Sequence, residues 1–210
     1  MKMKTVGAIA IFQLVICFLF VAITALGVVS GQNEVVTDNF GRPVKANAPY
    51  LINVPTTPAL RRWITQAYSF PTCSDNVFMM TNNLNHMARI PVRFVLPSSS
   101  SDDVVRVSTE LSIQFTGTYC KNVSGYWSIR SNPYEHVVVT GSRSSNDSTF
   151  IIKNVRDRFY SFAFGSADKP TDLALKYTDS RQAMARLALS GGTRFMVSFY
   201  PDGSIISGGF

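Results

Sequence analysis

Between Val35 and Tyr200 the chain alternates short apolar runs with polar, turn-rich breaks. Val35-Val36 opens the first run, and Asp38-Asn39-Phe40-Gly41 supplies turn chemistry behind it. Val44 restarts the apolar pattern, Ala48-Pro49 punctuates it, and Tyr50-Leu51-Ile52 reads as the returning strand. Further strands are expected at residues 91–96, 104–107, 111–115, 126–129, 137–140, 150–153, 159–164, 173–177 and 195–200. All are rich in Val, Ile, Phe and Tyr. Leu111, Ile113 and Phe115 fall on one face of their run, with Ser112 and Gln114 on the other, the period-2 pattern of a half-buried strand. Many short strands at this spacing predict an all-β barrel or sandwich. Residues 180–189 stand apart, because their Ala, Met, Arg and Leu favour a helix that Gly191-Gly192 could cap. Aromatic strand ends recur at Phe94, Tyr126-Trp127, Phe159-Tyr160 and Phe199-Tyr200, a weak sign of internal symmetry.

The N-terminus breaks the pattern. Lys2 and Lys4 precede a run from Thr5 to Val29 that is apolar apart from Gln13 and a few small residues, and Val29-Ser30-Gly31 offers a cleavage site. The run is long enough for a membrane anchor, but its terminal position favours a cleaved signal peptide. The expected division is a signal peptide at residues 1–31 and one domain at residues 32–210, secreted to the apoplast or routed to a vacuole, with no membrane contact after cleavage. About 180 residues suffice for one full core. The formal charge is +7, and removing the two leader lysines leaves the domain nearer +5, its cations scattered. Arg61-Arg62-Trp63, the one basic and aromatic cluster, is read as a solvated loop, so no nucleic-acid partner is expected.

Cys17 lies in the leader, which leaves Cys73 and Cys120 for the domain. In an oxidising compartment such a pair is expected to be joined, with about 4 kcal/mol of stabilisation from loop closure. Two buried free thiols are the alternative. A metal or redox role has neither Cys-x-x-Cys spacing nor more than His86 and His136 to draw on, so no metal or cofactor is expected. Asn122-Val123-Ser124 and Asn146-Asp147-Ser148 are glycosylation sequons, with Asn146 in the more polar tract.

Val36, Asp38, Gly41, Val44, Tyr50 and Ile52 fall at the spacing of a family signature, and the chain resembles the soybean-trypsin-inhibitor (plant Kunitz) family. The likeness continues colinearly. Phe70-Pro71-Thr72-Cys73 resembles the segment of the family's first cysteine, residues 90–97 and 104–115 its next two strands, and Cys120 with Tyr126-Trp127-Ser128-Ile129 the partner cysteine and its Trp strand. Phe150-Ile151-Ile152-Lys153 and Tyr160-Ser161-Phe162 resemble the third-repeat entry, and residues 186–190 and 195–199 the closing pair of strands, which overrides the helical reading there. The resemblance implies a β-trefoil of about twelve strands in three pseudo-repeats, a Cys73–Cys120 disulfide, and inhibition of a secreted or digestive protease, most naturally a serine-type one, by a monomer.

Departures from the pattern bear on activity. Ala59-Leu60-Arg61-Arg62-Trp63 replaces a glycine-rich segment, and no cysteine follows Cys120 to form a second bridge. The asparagine that braces the inhibitory loop in relatives would fall at Ala46, with Asn47 one place off. The loop itself would comprise Leu96, Pro97, Ser98, Ser99, Ser100, Ser101, Asp102 and Asp103, with Arg89 an alternative reactive residue. A trypsin-like pocket wants Arg or Lys, whereas this loop offers serines and two aspartates. The bland reading is a mobile polar turn. Two functions therefore stand: a Kunitz-type inhibitor weak towards trypsin, and a non-inhibitory trefoil that binds carbohydrate, pigment or protein. An enzyme is not expected, since Ser-His-Asp chemistry would have to recruit His86 or His136 without a nucleophile elbow.

Overall fold

A computed structural model describes residues 34–57, 60–68, 73–81, 89–118, 124–144, 147–178, 184–189 and 191–203. The leader, Cys120, Asn122 and Asn146 lie outside these residues. Of Cys73 only the backbone is described, so the disulfide and both sequons fall outside as well.

Strand and turn make up the described chain. The first four strands are β1 (Tyr50–Thr57), β2 (Leu60–Tyr68), β3 (Cys73–Thr81) and β4 (Val92–Val95). β5 (Glu110–Phe115), β6 (Tyr126–Ser131), β7 (His136–Gly141), β8 (Phe150–Arg156) and β9 (Phe159–Phe164) follow. The last are β10 (Thr171–Asp172), β11 (Ala174–Tyr177), β12 (Met184–Ala188) and β13 (Ser198–Pro201). The pairings are antiparallel, and they close a ring that runs β5–β4–β1–β2–β3–β7–β6 and returns to β5. Closure leaves the ring without a free edge. The β8–β9 hairpin joins the ring through β5, β10 extends it, and β13 lies against β1.

Alternation decides which rings fill the interior. Phe94, Trp127, Phe150, Tyr160, Phe162 and Phe199, from five different strands, are fully buried in one cluster. Trp127 packs edge-on against Phe150 and Phe162, and Phe199 packs against Phe94 and Phe162 with centroids 5.2 and 6.1 Å away. Such offset and edge-to-face contacts add to the burial of area itself.

Three expectations need correction or refinement. Arg61-Arg62-Trp63 is not a solvated loop: it lies in β2, pairs with β1 and β3, and buries Trp63. Neither β2 nor β3, the two longest strands, shows period-2 alternation. Trp63 to Gln66 and Val77 to Met80 are buried without a break, because neighbours cover both faces. The buried Gln66 is accommodated by donating from Nε2 to Thr140 Oγ1 at 3.2 Å, and Thr140 in turn donates to the Asp75 carbonyl. The helical composition of residues 180–189 gives way to β12, a hairpin partner of β11 in the register Leu175↔Leu187. Tertiary pairing outweighs propensity here, since Ala185 and Leu187 reach the core only from a strand. Residues 104–107 make isolated bridges, Lys45↔Val104 and Val35↔Arg106, rather than a continuous strand.

Candidate functional site

The hairpin at residues 35–47 explains how the polar loop after β4 is held. Asp38, almost fully buried, accepts the Phe40 and Arg42 amides on Oδ1 at 2.8 and 3.0 Å and the Arg42 guanidinium on Oδ2 at 3.0 Å. Gly41, at φ 79°, takes the left-handed backbone that the turn requires. Val36 and Val44, on either side of the turn, insert fully into the core. The signature spacing thus encodes one tight turn flanked by two anchors.

This hairpin is a strap across both stems of the loop. The Asn47 amide donates to the Phe94 carbonyl on the ascending stem at 2.9 Å, and the Ala46 amide donates to the Asp103 carbonyl on the descending stem at 2.7 Å. Two residues further on, the Val105 amide donates to the Val44 carbonyl and the Val105 carbonyl accepts the Val36 amide. Two core tyrosines bolt the strap down: Tyr50 Oη accepts the Lys45 amide at 3.0 Å, and Tyr160 Oη accepts the Thr37 amide at 2.9 Å. The brace expected of an asparagine side chain is supplied by backbone amides. Asn47 is exposed, and its φ of 61° is one that Asn tolerates better than most residues. No sequence pattern could have revealed this, because every residue but proline carries the same N–H.

Between the stems, Leu96 packs against the core, and Ser98, Ser99, Ser100 and Ser101 are exposed. The Ser100 amide donates to the Pro97 carbonyl at 2.9 Å, which makes Ser98-Ser99 the centre of a β-turn. Asp102 closes the loop: Oδ1 accepts the Val104 amide at 3.0 Å and Oδ2 accepts Arg106 Nε at 2.7 Å. The Arg106 hydrogen bond, followed by that of Val104, holds the Asp102 carboxyl below its ordinary range. Asp103 accepts Lys45 Nζ at 2.7 Å, and that hydrogen bond raises the Lys45 ammonium above its ordinary value. The expected loop residues therefore stand together: a hydroxyl-rich apex on a base of two ion pairs. Sequence reading did not find Lys45 and Arg106 as the cations of that base.

The alternative reactive residue lies elsewhere. Arg89 precedes β4 at the end away from the loop, and its guanidinium sits 5.0 Å over the Trp63 ring. His136 hydrogen-bonds Ser131 through Nδ1 at 2.7 Å where β6 and β7 pair, and His86 lies outside the described residues. The turn between those strands exposes Tyr134 at 95%. Beside it, Glu135 bridges Lys176 at 2.8 Å and Arg186 at 3.0 Å, and the Lys176 hydrogen bond lowers its pKa most.

The legume Kunitz family model, described as trypsin and protease inhibitor, matches residues 36–200. Kunitz trypsin inhibitor 6 of Arabidopsis thaliana is 41% identical over 174 residues, covering 78% of this chain and 83% of that protein. The complex of porcine pancreatic trypsin with soybean trypsin inhibitor contains a chain of the same fold, at a TM-score of 0.65 and 21% identity, over 80% of this chain and 99% of that one. A water-soluble chlorophyll protein from Brassica oleracea var. Botrytis, solved with chlorophyll-b, matches at a TM-score of 0.63 and 19% identity with the same coverage. The architecture is the β-trefoil of these neighbours.

Proposed function

The chain belongs to the plant Kunitz family of trypsin and protease inhibitors, and from that premise we propose that it is a secreted inhibitor offering residues 97–103 to a serine-type endopeptidase whose specificity pocket is small and uncharged. The observation that carries this reading is the double strap, Asn47 to Phe94 and Ala46 to Asp103, beneath four exposed serines. An inhibitor of this kind binds as a substrate that is already in place, and a stem fixed before the encounter loses less entropy on binding. A serine side chain fits a small pocket. It leaves the buried acid of a trypsin pocket unpaired, at a cost of about 2–5 kcal/mol for a desolvated charge. Poor inhibition of trypsin follows. Cleavage of residues 1–31, a Cys73–Cys120 disulfide and glycosylation at Asn146 or Asn122 belong to the same proposal, as they suit an oxidising compartment.

A second reading rests on the Pro97–Ser100 turn. A protease cleft takes extended backbone, and this apex is folded back at its first residues. A trefoil that binds another ligand, as the chlorophyll protein does, needs no extended loop. Titration of the purified protein against trypsin-, chymotrypsin-, elastase-, subtilisin- and papain-like proteases separates the two. Stoichiometric inhibition of the elastase- or subtilisin-like enzyme with little effect on trypsin is expected. Inhibition of none favours the binding module, and tight inhibition of trypsin overturns the loop assignment.

A further inference from the structure

Away from the loop, a cleft of about 630 Å³ opens between the end of β1, the β8–β9 hairpin, β10–β11 and the segment at residues 193–196. Its floor is apolar: Val54, Leu173, Leu175 and Phe195 are all buried there, and Tyr177 forms part of the wall. Of its exposed lining residues, Asn154, Asp172, Thr193 and Arg194 are polar, and Val155 is apolar. The pairing of β8 with β9 shifts register between Asn154 and Arg156, and the bulge leaves Val155 opposite no residue of β9. Val155 is 48% exposed at the cleft's rim, one of three large hydrophobic side chains left exposed among the described residues.

A surface cleft of this size is often only filled with solvent, but its charges argue otherwise. Three charged side chains line it: Lys153, Asp172 and Arg194. Lys153 is already committed, donating to Asp172 at 2.7 Å. Arg194 is exposed and has no hydrogen-bond or ion-pair partner among the described residues. The lining therefore carries one uncompensated positive charge, set on an arginine suited to bidentate contact with a carboxylate or sulfonate. The segment that bears it is held close to β11. Thr193 and Leu175 exchange two backbone hydrogen bonds of 2.9 Å, and a Cβ on Gly192 would lie 2.6 Å from the Leu175 carbonyl oxygen. The volume lies within the range for small-molecule sites, and a mostly apolar wall with one convergent charge is their usual composition.

We infer that this cleft binds an amphipathic organic anion, an apolar body with a single carboxylate or sulfonate head, with the body over Leu173, Leu175 and Phe195 and the head on Arg194. The site is independent of the inhibitory loop.

The probe is 8-anilinonaphthalene-1-sulfonate, followed by its fluorescence on the purified protein. Saturable binding at one site per chain is expected, with dodecanoate displacing it at least about tenfold better than dodecanol. Arg194→Gln changes an exposed side chain and is expected to weaken the probe about tenfold, at an unchanged melting temperature. Val155→Trp is expected to obstruct the rim. Amide chemical-shift changes on adding dodecanoate should cluster at residues 173–177 and 193–196. Absence of saturable binding, equal displacement by dodecanol, full affinity in Arg194→Gln or shifts confined to another surface would each overturn the assignment.

Discussion

The Trp127 cluster and the loop at residues 97–103 lie in one trefoil and are held by opposite means. Around Trp127 the contacts are aromatic: Phe115, Phe150 and Phe162, from three different strands, pack on the indole with centroids 5.6 to 6.1 Å away. At the loop, apolar contact ends with Leu96, and the shape depends on backbone amides, an aspartate-capped turn and two ion pairs, one exposed and one half-exposed. Packing fixes a position through buried area, which needs many neighbours at once. A projecting loop has neighbours on one side only, so it must be fixed by directional bonds. The two regions should therefore fail differently. Damage to the first should unfold the protein, and damage to the second should loosen a site on an intact one.

The largest effect is expected at the indole. Trp127→Ala empties a fully buried site on which the rings of β5, β8 and β9 converge, and should cost about 3–5 kcal/mol in chemical denaturation. Where the variant still folds, its affinity for a target protease should match that of the parent. If the loop weakens in step with stability, the two regions are not separable.

Tyr50→Phe probes the link between them. The ring belongs to the core, centroid 6.2 Å from that of Phe94, while the hydroxyl accepts the Lys45 amide of the strap. Removing one oxygen keeps the packing and leaves that amide without its acceptor, which should cost about 1–3 kcal/mol. Hydrogen exchange should quicken at Lys45, Ala46 and Asn47 and leave the amides around Trp127 unchanged. Quickening in both places would mean that the strap is part of the core.

The same contrast explains what could be read from the sequence. Strands with alternating apolar positions were legible, β5 most clearly, since Leu111, Ile113 and Phe115 share the core face and the polar Ser112 and Gln114 share the other. β2 and β3 were not, because both faces are covered and Thr65 and Gln66 are buried polar residues that resemble surface ones. β12 was masked by helix-forming residues whose strand state is set by β11 and β3. In the loop, the position and the serines were named from the family resemblance. The bracing did not, because it passes through backbone groups and through Lys45 and Arg106, whose partners depend on the fold. The cleft was invisible for a similar reason: its walls come from five strands and one connecting segment, and no short stretch contains more than four of its residues.

The smallest expected change is electrostatic and confined to the loop. The Asp102 carboxyl is held below its ordinary value of 3.8 by Arg106, so the tie is complete above that value and is lost as pH falls through the lower folded-state value. Lys45 is raised above 10.5 by Asp103, so its tie is complete below that value and is lost as pH rises through the higher one. Between these limits neither group changes charge, and the amide relaxation of Ser98 to Ser101 should be flat with pH. As pH falls through that lower folded-state value, those amides should become more mobile before the near-ultraviolet circular dichroism of the Trp127 cluster changes. Asp102→Asn should produce the mobile loop at neutral pH, since the amide can still accept from Val104 but no longer pairs with Arg106 as an ion. The Lys45–Asp103 pair is exposed and the Arg106–Asp102 pair half-exposed, so both are open to screening; the melting temperature of that variant should hardly move, and added salt should narrow its difference from the parent. A fall of several degrees in melting temperature would place the ion pair among the contacts that hold the fold. A loop indifferent to acid, to salt and to Asp102→Asn would leave the strap's backbone bonds as its sole support.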